Sequence, residues 1–158
     1  MPKVVRPEGA ALVEVEGFRL TYHRVNTGVP HAVAWVEDLE TFPVFKVGRA
    51  VRRHPAFAPD GANINFVKVL GHDRLSVRTY ERGVEDETLA CGTGAVAAAL
   101  LAMAQGLVTA TSVTCQTRGG DDLIISVEGP LESPEKVFLE GKVRYLFSGQ
   151  VEADLFLK

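Results

Sequence analysis

Residues 93–105 read Thr-Gly-Ala-Val-Ala-Ala-Ala-Leu-Leu-Ala-Met-Ala-Gln, and none of them is charged. A helix on a protein surface alternates an apolar stripe with a polar one, so a helix without a polar face has to be enclosed on every side. The run is too short to cross a bilayer, which takes about 20 apolar residues. Its alanines keep it thin, so neighbouring strands can approach closely. Gly106 is the expected C-terminal stop. The rest of the chain has to supply the enclosure.

Most of that remainder reads as strands. Ala11–Glu16 and Phe18–Val25 alternate apolar and polar residues on either side of Gly17, the pattern of a hairpin. Ala32–Val36 is a short apolar run. Ile64–Leu70 and Arg74–Glu81 pair around Gly71-His72-Asp73. Ser112–Thr117, Leu123–Val127, Val137–Leu139 and Val143–Phe147 follow, divided at Gly119-Gly120-Asp121, Gly129-Pro130 and Gly141. A second helix is expected over Thr41–His54, from the spacing of Phe42, Phe45 and Val51, with Arg49, Arg52 and Arg53 outward and Pro43 near its start. Pro55 and Pro59-Asp60-Gly61 mark a turn. The fold class is therefore α+β: a curved sheet wrapped around a central hydrophobic helix.

At 158 residues the chain is expected to form a single domain. Seventeen Lys and Arg against 20 Asp and Glu give a net charge of −3 with no basic patch, which argues against nucleic acid. No segment is suited to a membrane, and Met-Pro-Lys-Val-Val-Arg-Pro-Glu at the start has no apolar signal core. Two cysteines without such a signal suggest free thiols in a reducing cytoplasm. No Cys/His pair has metal-ligand spacing, so a bound metal is not expected.

Chemistry concentrates at the start of the central helix. Cys91 precedes Gly92-Thr93-Gly94. Unpaired N–H groups and the partial positive charge of a helix N-terminus lower the pKa of a thiol there and hold anionic ligands. Glycines at 92 and 94 let a ligand approach the backbone. Cys91 is thus expected to be a base or a nucleophile; the plain alternative is a buried structural cysteine.

The stretch Glu81-Arg82-Gly83, then Glu87-Thr88-Leu89-Ala90-Cys91-Gly92-Thr93-Gly94-Ala95, resembles the second cysteine motif of the diaminopimelate epimerases. Three weaker segments agree in order. Asn26-Thr27-Gly28-Val29-Pro30-His31 is similar to the family's Gly-Asn-Pro-His turn. Gly61-Ala62-Asn63-Ile64-Asn65-Phe66-Val67 is similar to its substrate-contacting asparagine segment, and Phe147-Ser148-Gly149-Gln150-Val151 to its closing strand. Proline racemases share a Cys-Gly-Thr-Gly core, but the Glu-Arg-Gly lead-in resembles the epimerases more.

The resemblance implies cofactor-free inversion at an amino-acid α-carbon. One cysteine removes the proton and a second returns one from the opposite face. It also implies two similar domains, each a strongly curved, barrel-like, mostly antiparallel sheet wrapped around a central hydrophobic helix, with substrate between the helix N-termini. Carried over to this chain, Cys91 is an acid/base cysteine. Gly92 and Thr93 offer N–H groups to the α-carboxylate, and Asn63 binds polar groups of the substrate. Arg82 pairs with a carboxylate. Glu81 binds the ammonium group or tunes the thiols, and His31 adjusts the thiol pKa.

Two departures stand out. Val29 replaces the asparagine of Gly-Asn-Pro-His, with Asn26 as a candidate substitute. The family chain is also about twice as long, and 1–158 resembles its C-terminal domain alone, with the N-terminal domain and its Cys-Gly-Asn-Gly-like turn absent. Cys115, in the strand-like Val113-Thr114-Cys115-Gln116-Thr117, reads as inert. The chain is then a fragment (the favoured reading), the partner of an N-terminal domain supplied in trans, or one half of a homodimer. Alone it is expected to have little or no epimerase activity. An exposed apolar face is expected where the missing domain docks. Competing readings are a non-catalytic amino-acid-binding module, a proline racemase-like or other racemase, and a cysteine enzyme using one of His23, His31, His54 or His72 as base.

Overall fold

A computed structural model describes residues 9–131, 134–150 and 152. The leader reading of residues 1–8, and Val151 of the closing segment, lie outside the described residues. In chain order the elements are β1 (Ala10–Val15), β2 (Phe18–Asn26), β3 (Pro30–Trp35), α1 (Val44–Arg52), a 3₁₀ turn (Pro55–Phe57), β4 (Asn63–Gly71), β5 (Arg74–Glu81), β6 (Asp86–Thr88), α2 (Gly92–Ala104), β7 (Ser112–Thr117), β8 (Asp122–Glu128) and β9 (Lys136–Gly141).

All the strands join one sheet in the order β1-β2-β3-β4-β5-β7-β8-β9, with β6 paired to β5. Neighbours run antiparallel except for β3 with β4 and β5 with β7. The far edge of β5 is divided: Arg74–Val77 pair with β7, and Thr79–Glu81 pair with β6. The β1–β2 hairpin turns at Glu16 and Gly17, both at positive φ (54° and 81°), the two-residue turn whose twist suits an antiparallel pair.

The sheet separates two cores. On one face α2 packs against β2, β3, β4, β5, β7, β8 and β9, and every residue from Gly94 to Met103 is buried. The charge-free sequence of this helix therefore matches its surroundings. On the other face α1 lies over β1, β4, β5 and β6, with Val44, Val47 and Val51 meeting Tyr22, Phe42, Phe66 and Tyr80. The α+β class is as expected. The sheet curls round α2 without closing, and β1 and β9 remain as its edges.

Four local expectations change. Helix α1 starts at Val44 rather than Thr41 because Pro43 disfavours helical geometry at Phe42 before it. The buried stripe then runs through Val44, Val47, Gly48 and Val51, and Phe45 is 47% exposed. The short strand β6 was not foreseen; three residues carry no period of their own. Val143–Phe147 is not a strand. The ladder of β9 on β8 ends at Leu123 opposite Gly141, and the chain beyond has no strand beside it among the described residues. Val143, Tyr145, Leu146 and Phe147 are consequently exposed, Tyr145 by 81%.

Candidate active site

The site residues gather at one end of the sheet. His31 at the start of β3 is in register with Asn63 at the start of β4. The side chain of Asn63 reaches the end of β5, where its Oδ1 accepts the backbone N–H of Arg82 at 2.8 Å. Glu81 closes β5. The chain then reverses through Arg82-Gly83-Val84-Glu85, where Glu85 N–H returns to Glu81 O at 2.8 Å and Gly83 takes a φ of 92°. Strand β6 runs back along β5 and delivers the chain to Cys91, the N-cap of α2. Thr27, in the turn between β2 and β3, donates to Thr93 O at 3.3 Å and ties that turn to the helix start. Cys91, Gly92, Thr93, Glu81, Arg82, Asn63 and His31, far apart in sequence, thus share one end of the sheet.

The first intrahelical bond of α2 is Ala95 N–H to Cys91 O at 2.9 Å, so the N–H groups before it have no partner along the helix. Those of Thr93 and Gly94 point to the sulfur of Cys91, and Thr93 Oγ1 lies 3.6 Å from it. These contacts favour the thiolate. Burial disfavours it more strongly, and the negative charge of Glu81 works in the same direction, so the Cys91 thiol is pushed above its ordinary value. This corrects the expected lowering: the helix N-terminus is present, but it is outweighed in this chain. Cys115 faces the core from β7, fully buried, with its thiol pushed up to about 12 by burial and by Asp122.

His31 is 1% exposed, and its pKa is lowered to about 4 by burial and by the positive charge of Arg82, so it is neutral. Its Nε2 is buried without a partner among the described residues. His31 also lines an open depression of about 250 Å³ with Arg24, Asn26, Phe57, Asp60 and Gly61 among its walls. Arg82 donates from Nη1 to Asp60 O at 3.3 Å. Asn26 Oδ1 accepts Gly28 N–H at 3.0 Å, so its oxygen is engaged within its own turn. His23 and His54 are held elsewhere: Nδ1 of His23 lies 3.2 Å from Gln105 Nε2, and that of His54 accepts Ala56 N–H at 3.1 Å. His72 stands in the β4–β5 turn, away from Cys91. Among the described residues no three His, Cys, Asp or Glu side chains gather as a metal site would require. No helix there is long and apolar enough to cross a membrane.

The family model for diaminopimelate epimerase matches residues 23–146, the stretch that holds every one of these groups. The chain belongs to the diaminopimelate epimerase family. It is 45% identical over 150 residues to the diaminopimelate epimerase of Aquifex aeolicus, covering 95% of this chain and 52% of that one. It is 47% identical over 149 residues to that of Methanothrix thermoacetophila, covering 94% and 49%. The chain therefore spans about half the length of these curated epimerases. A solved hydroxyproline epimerase from Agrobacterium vitis, with bound trans-4-hydroxy-L-proline, superposes with a TM-score of 0.60 at 16% identity over 87% of this chain and 45% of its own. A phenazine biosynthesis protein of the PhzF family from Bacillus anthracis gives 0.51 at 19% identity, over 73% of this chain and 35% of its own. Both show a shared fold.

Sequence reasoning missed three supports of this epimerase-family site. Asn65, fully buried, lies between His31 and the first turn of α2. Thr79 donates to Asn65 Oδ1 at 2.9 Å. Arg78 grips Glu87 with two bonds, 2.6 Å from Nε and 2.8 Å from Nη2, and its Nη1 donates to the carbonyls of Leu39, Glu40 and Phe42. That clamp fixes β6, and with it the approach to Cys91. Asn65 falls in the asparagine segment Gly61–Val67 and Glu87 in the cysteine motif; which chain groups they meet is invisible in one dimension.

Proposed function

We propose that this chain supplies one face of a cofactor-independent two-cysteine site that interconverts LL- and meso-diaminopimelate, a step in making lysine. The observation that carries the reading is a half-buried cysteine at the mouth of a buried helix, with the Glu81 carboxylate as a charged neighbour and Arg82 and Asn63 at the same end of the sheet. The substrate is an amino acid with two carboxylates and two ammonium groups, and the site offers opposite charges to both. Arg82 pairs with a carboxylate, Glu81 with an ammonium group, and Asn63 with either. The N–H groups at the start of α2 hold the α-carboxylate and the charge that develops on it during deprotonation.

Inversion needs a base on one face of the α-carbon and an acid on the other. With its thiol pushed up by burial, Cys91 enters as the acid: its S–H proton passes to the α-carbon, and the sulfur is left as thiolate. In the reverse direction that thiolate takes the proton back. The opposite face requires a second thiolate, which accepts the proton leaving the α-carbon. Cys115 is turned into the core, so the second sulfur comes from the remaining half of a full-length family member, in the same chain or in trans, or from a second copy of this chain. The favoured source is an N-terminal domain, with 1–158 acting as the C-terminal one. Leu89, beside Cys91 and 71% exposed, and Val84 in the β5–β6 turn, also exposed, support a covered rather than an open site.

The test is exchange of the α-proton of LL-diaminopimelate in heavy water, with the chain alone and with Cys91→Ala. The expected result is a folded protein with little or no exchange. Exchange that disappears in Cys91→Ala and rises with protein concentration supports the two-copy arrangement. Exchange that survives Cys91→Ala refutes the role of Cys91.

A further inference from the structure

Asn65 is used by nothing in the chemistry above, yet every polar atom of its side chain is engaged. It projects from β4, two residues beyond Asn63. Its Nδ2 lies 3.2 Å from Ala32 O, 3.3 Å from Asn63 O and 3.1 Å from His31 Nδ1. Two of those three neighbours are carbonyl oxygens, which only accept, so the atom facing them is the nitrogen of the amide and its hydrogens point outward. The other end, Oδ1, accepts from Thr79 Oγ1 at 2.9 Å. It also lies so close to Gly94 that a Cβ there would overlap it. The same added carbon would stand 3.2 Å from Cys91 Sγ.

An N–H donor facing His31 Nδ1 leaves only one neutral tautomer comfortable. The amide nitrogen shares its two hydrogens among three acceptors and accepts nothing itself, so a proton on Nδ1 would have no acceptor in front of it; Nδ1 is bare and the ring proton sits on Nε2. That nitrogen is the one buried without a partner among the described residues. The ring therefore presents a single free donor, from a residue that also lines the open depression beside Asp60 and Gly61.

We propose that Asn65 is the positioning residue of this site: it fixes His31 as the Nε2–H tautomer, a buried donor for an anionic oxygen of the ligand, and braces the turn that carries Cys91. The tautomer stands on geometry alone. Its use toward a ligand rests on the epimerase reading.

The test is the long-range proton–nitrogen NMR spectrum of His31 in the full 158-residue chain near neutral pH, with Asn65→Asp and Thr79→Val beside it. The expected wild-type pattern is a bare Nδ1 and a protonated Nε2. Asn65→Asp replaces the donor with a carboxylate that only accepts, so the proton should move to Nδ1. Thr79→Val loosens the same network at the far end of the amide and should leave the tautomer unchanged. A wild-type His31 carrying its proton on Nδ1, or an even mixture, overturns the proposal, and needs no variant to fold. An Asn65→Asp chain that folds and keeps the Nε2–H pattern also overturns it. Neither outcome depends on proton exchange with diaminopimelate, so the tautomer and the epimerase reading fail separately.

Discussion

Gly94→Ala in α2 sets two effects of known size against each other. Glycine inside a helix costs about 1 kcal/mol relative to alanine, so propensity alone favours the substitution. The structure opposes it. A Cβ at 94 would overlap Asn65 Oδ1 and stand 3.2 and 3.3 Å from Cys91 Sγ and Cβ. Overpacking of this kind costs about 1–3 kcal/mol. If Asn65 yields, the Thr79 hydroxyl or the amide loses its partner in a buried place, which adds about 1–3 kcal/mol. The net expectation is destabilisation by about 2 kcal/mol. For a chain of this length, that lowers Tm by about 4–8 °C. Gly92→Ala is the comparison. Its Cβ meets only the methyls of Leu139, at 3.5 and 3.8 Å, which is ordinary contact, so its stability should change by less than about 0.5 kcal/mol. Urea denaturation and thermal unfolding of both variants measure the difference. A Gly94→Ala chain as stable as Gly92→Ala, or more stable than the parent, would refute the close packing of Asn65 under the helix start.

The remaining predictions concern charge. Glu81→Gln removes a negative neighbour of Cys91, so the pH midpoint of iodoacetamide alkylation at Cys91 should fall, while native Cys115 stays unreactive with its thiol near 12; peptide mass mapping across pH reads both. His31 has its pKa at about 4 when folded against 6.5 when free, so between those values the unfolded chain binds the extra proton. Stability should therefore fall as pH drops through that window, by up to about 3 kcal/mol, and His31→Gln should remove that part of the decline in urea midpoints. Arg78→Met removes both close bonds to Glu87 in a mostly enclosed place, where the pair's side chains are 13% and 16% exposed, and leaves it only the more exposed Arg118 guanidinium at 3.7 Å. It should cost about 3 kcal/mol in urea unfolding and raise hydrogen exchange in β6. The wild-type rate of β6 exchange in that variant would show that the clamp does not hold the strand.

Local patterns carried much of the fold. The alternation in β1 and β2, the turns at Gly17 and Gly71-His72-Asp73, and the charge-free run of α2 each report their surroundings directly, because burial on one face or on all faces leaves a period in the sequence. The failures are equally physical. Val143–Phe147 has strand composition, but a strand exists only with a neighbour, and here the ladder has ended at Gly141. Phe45 has helical spacing with its neighbours, yet Pro43 shifts the helix start and Val44, Val47 and Val51 take the inward stripe.

The site divides in the same way. Its residue types were legible: Cys91 before a glycine turn, Glu81 and Arg82 at a strand end, Asn63 and His31 just ahead of short apolar runs. Each is chemistry written in a short contiguous motif. The state of those groups was not legible. The sequence determined that a thiol would stand at a helix N-terminus; only the tertiary structure decided that burial and Glu81 outweigh that N-terminus and raise its pKa. Likewise Asn65 is one amide among several until β3, β4, β5 and α2 close around it. Electrostatic balance and hydrogen-bond partners are sums over atoms brought together from distant parts of the chain, and no local pattern contains them.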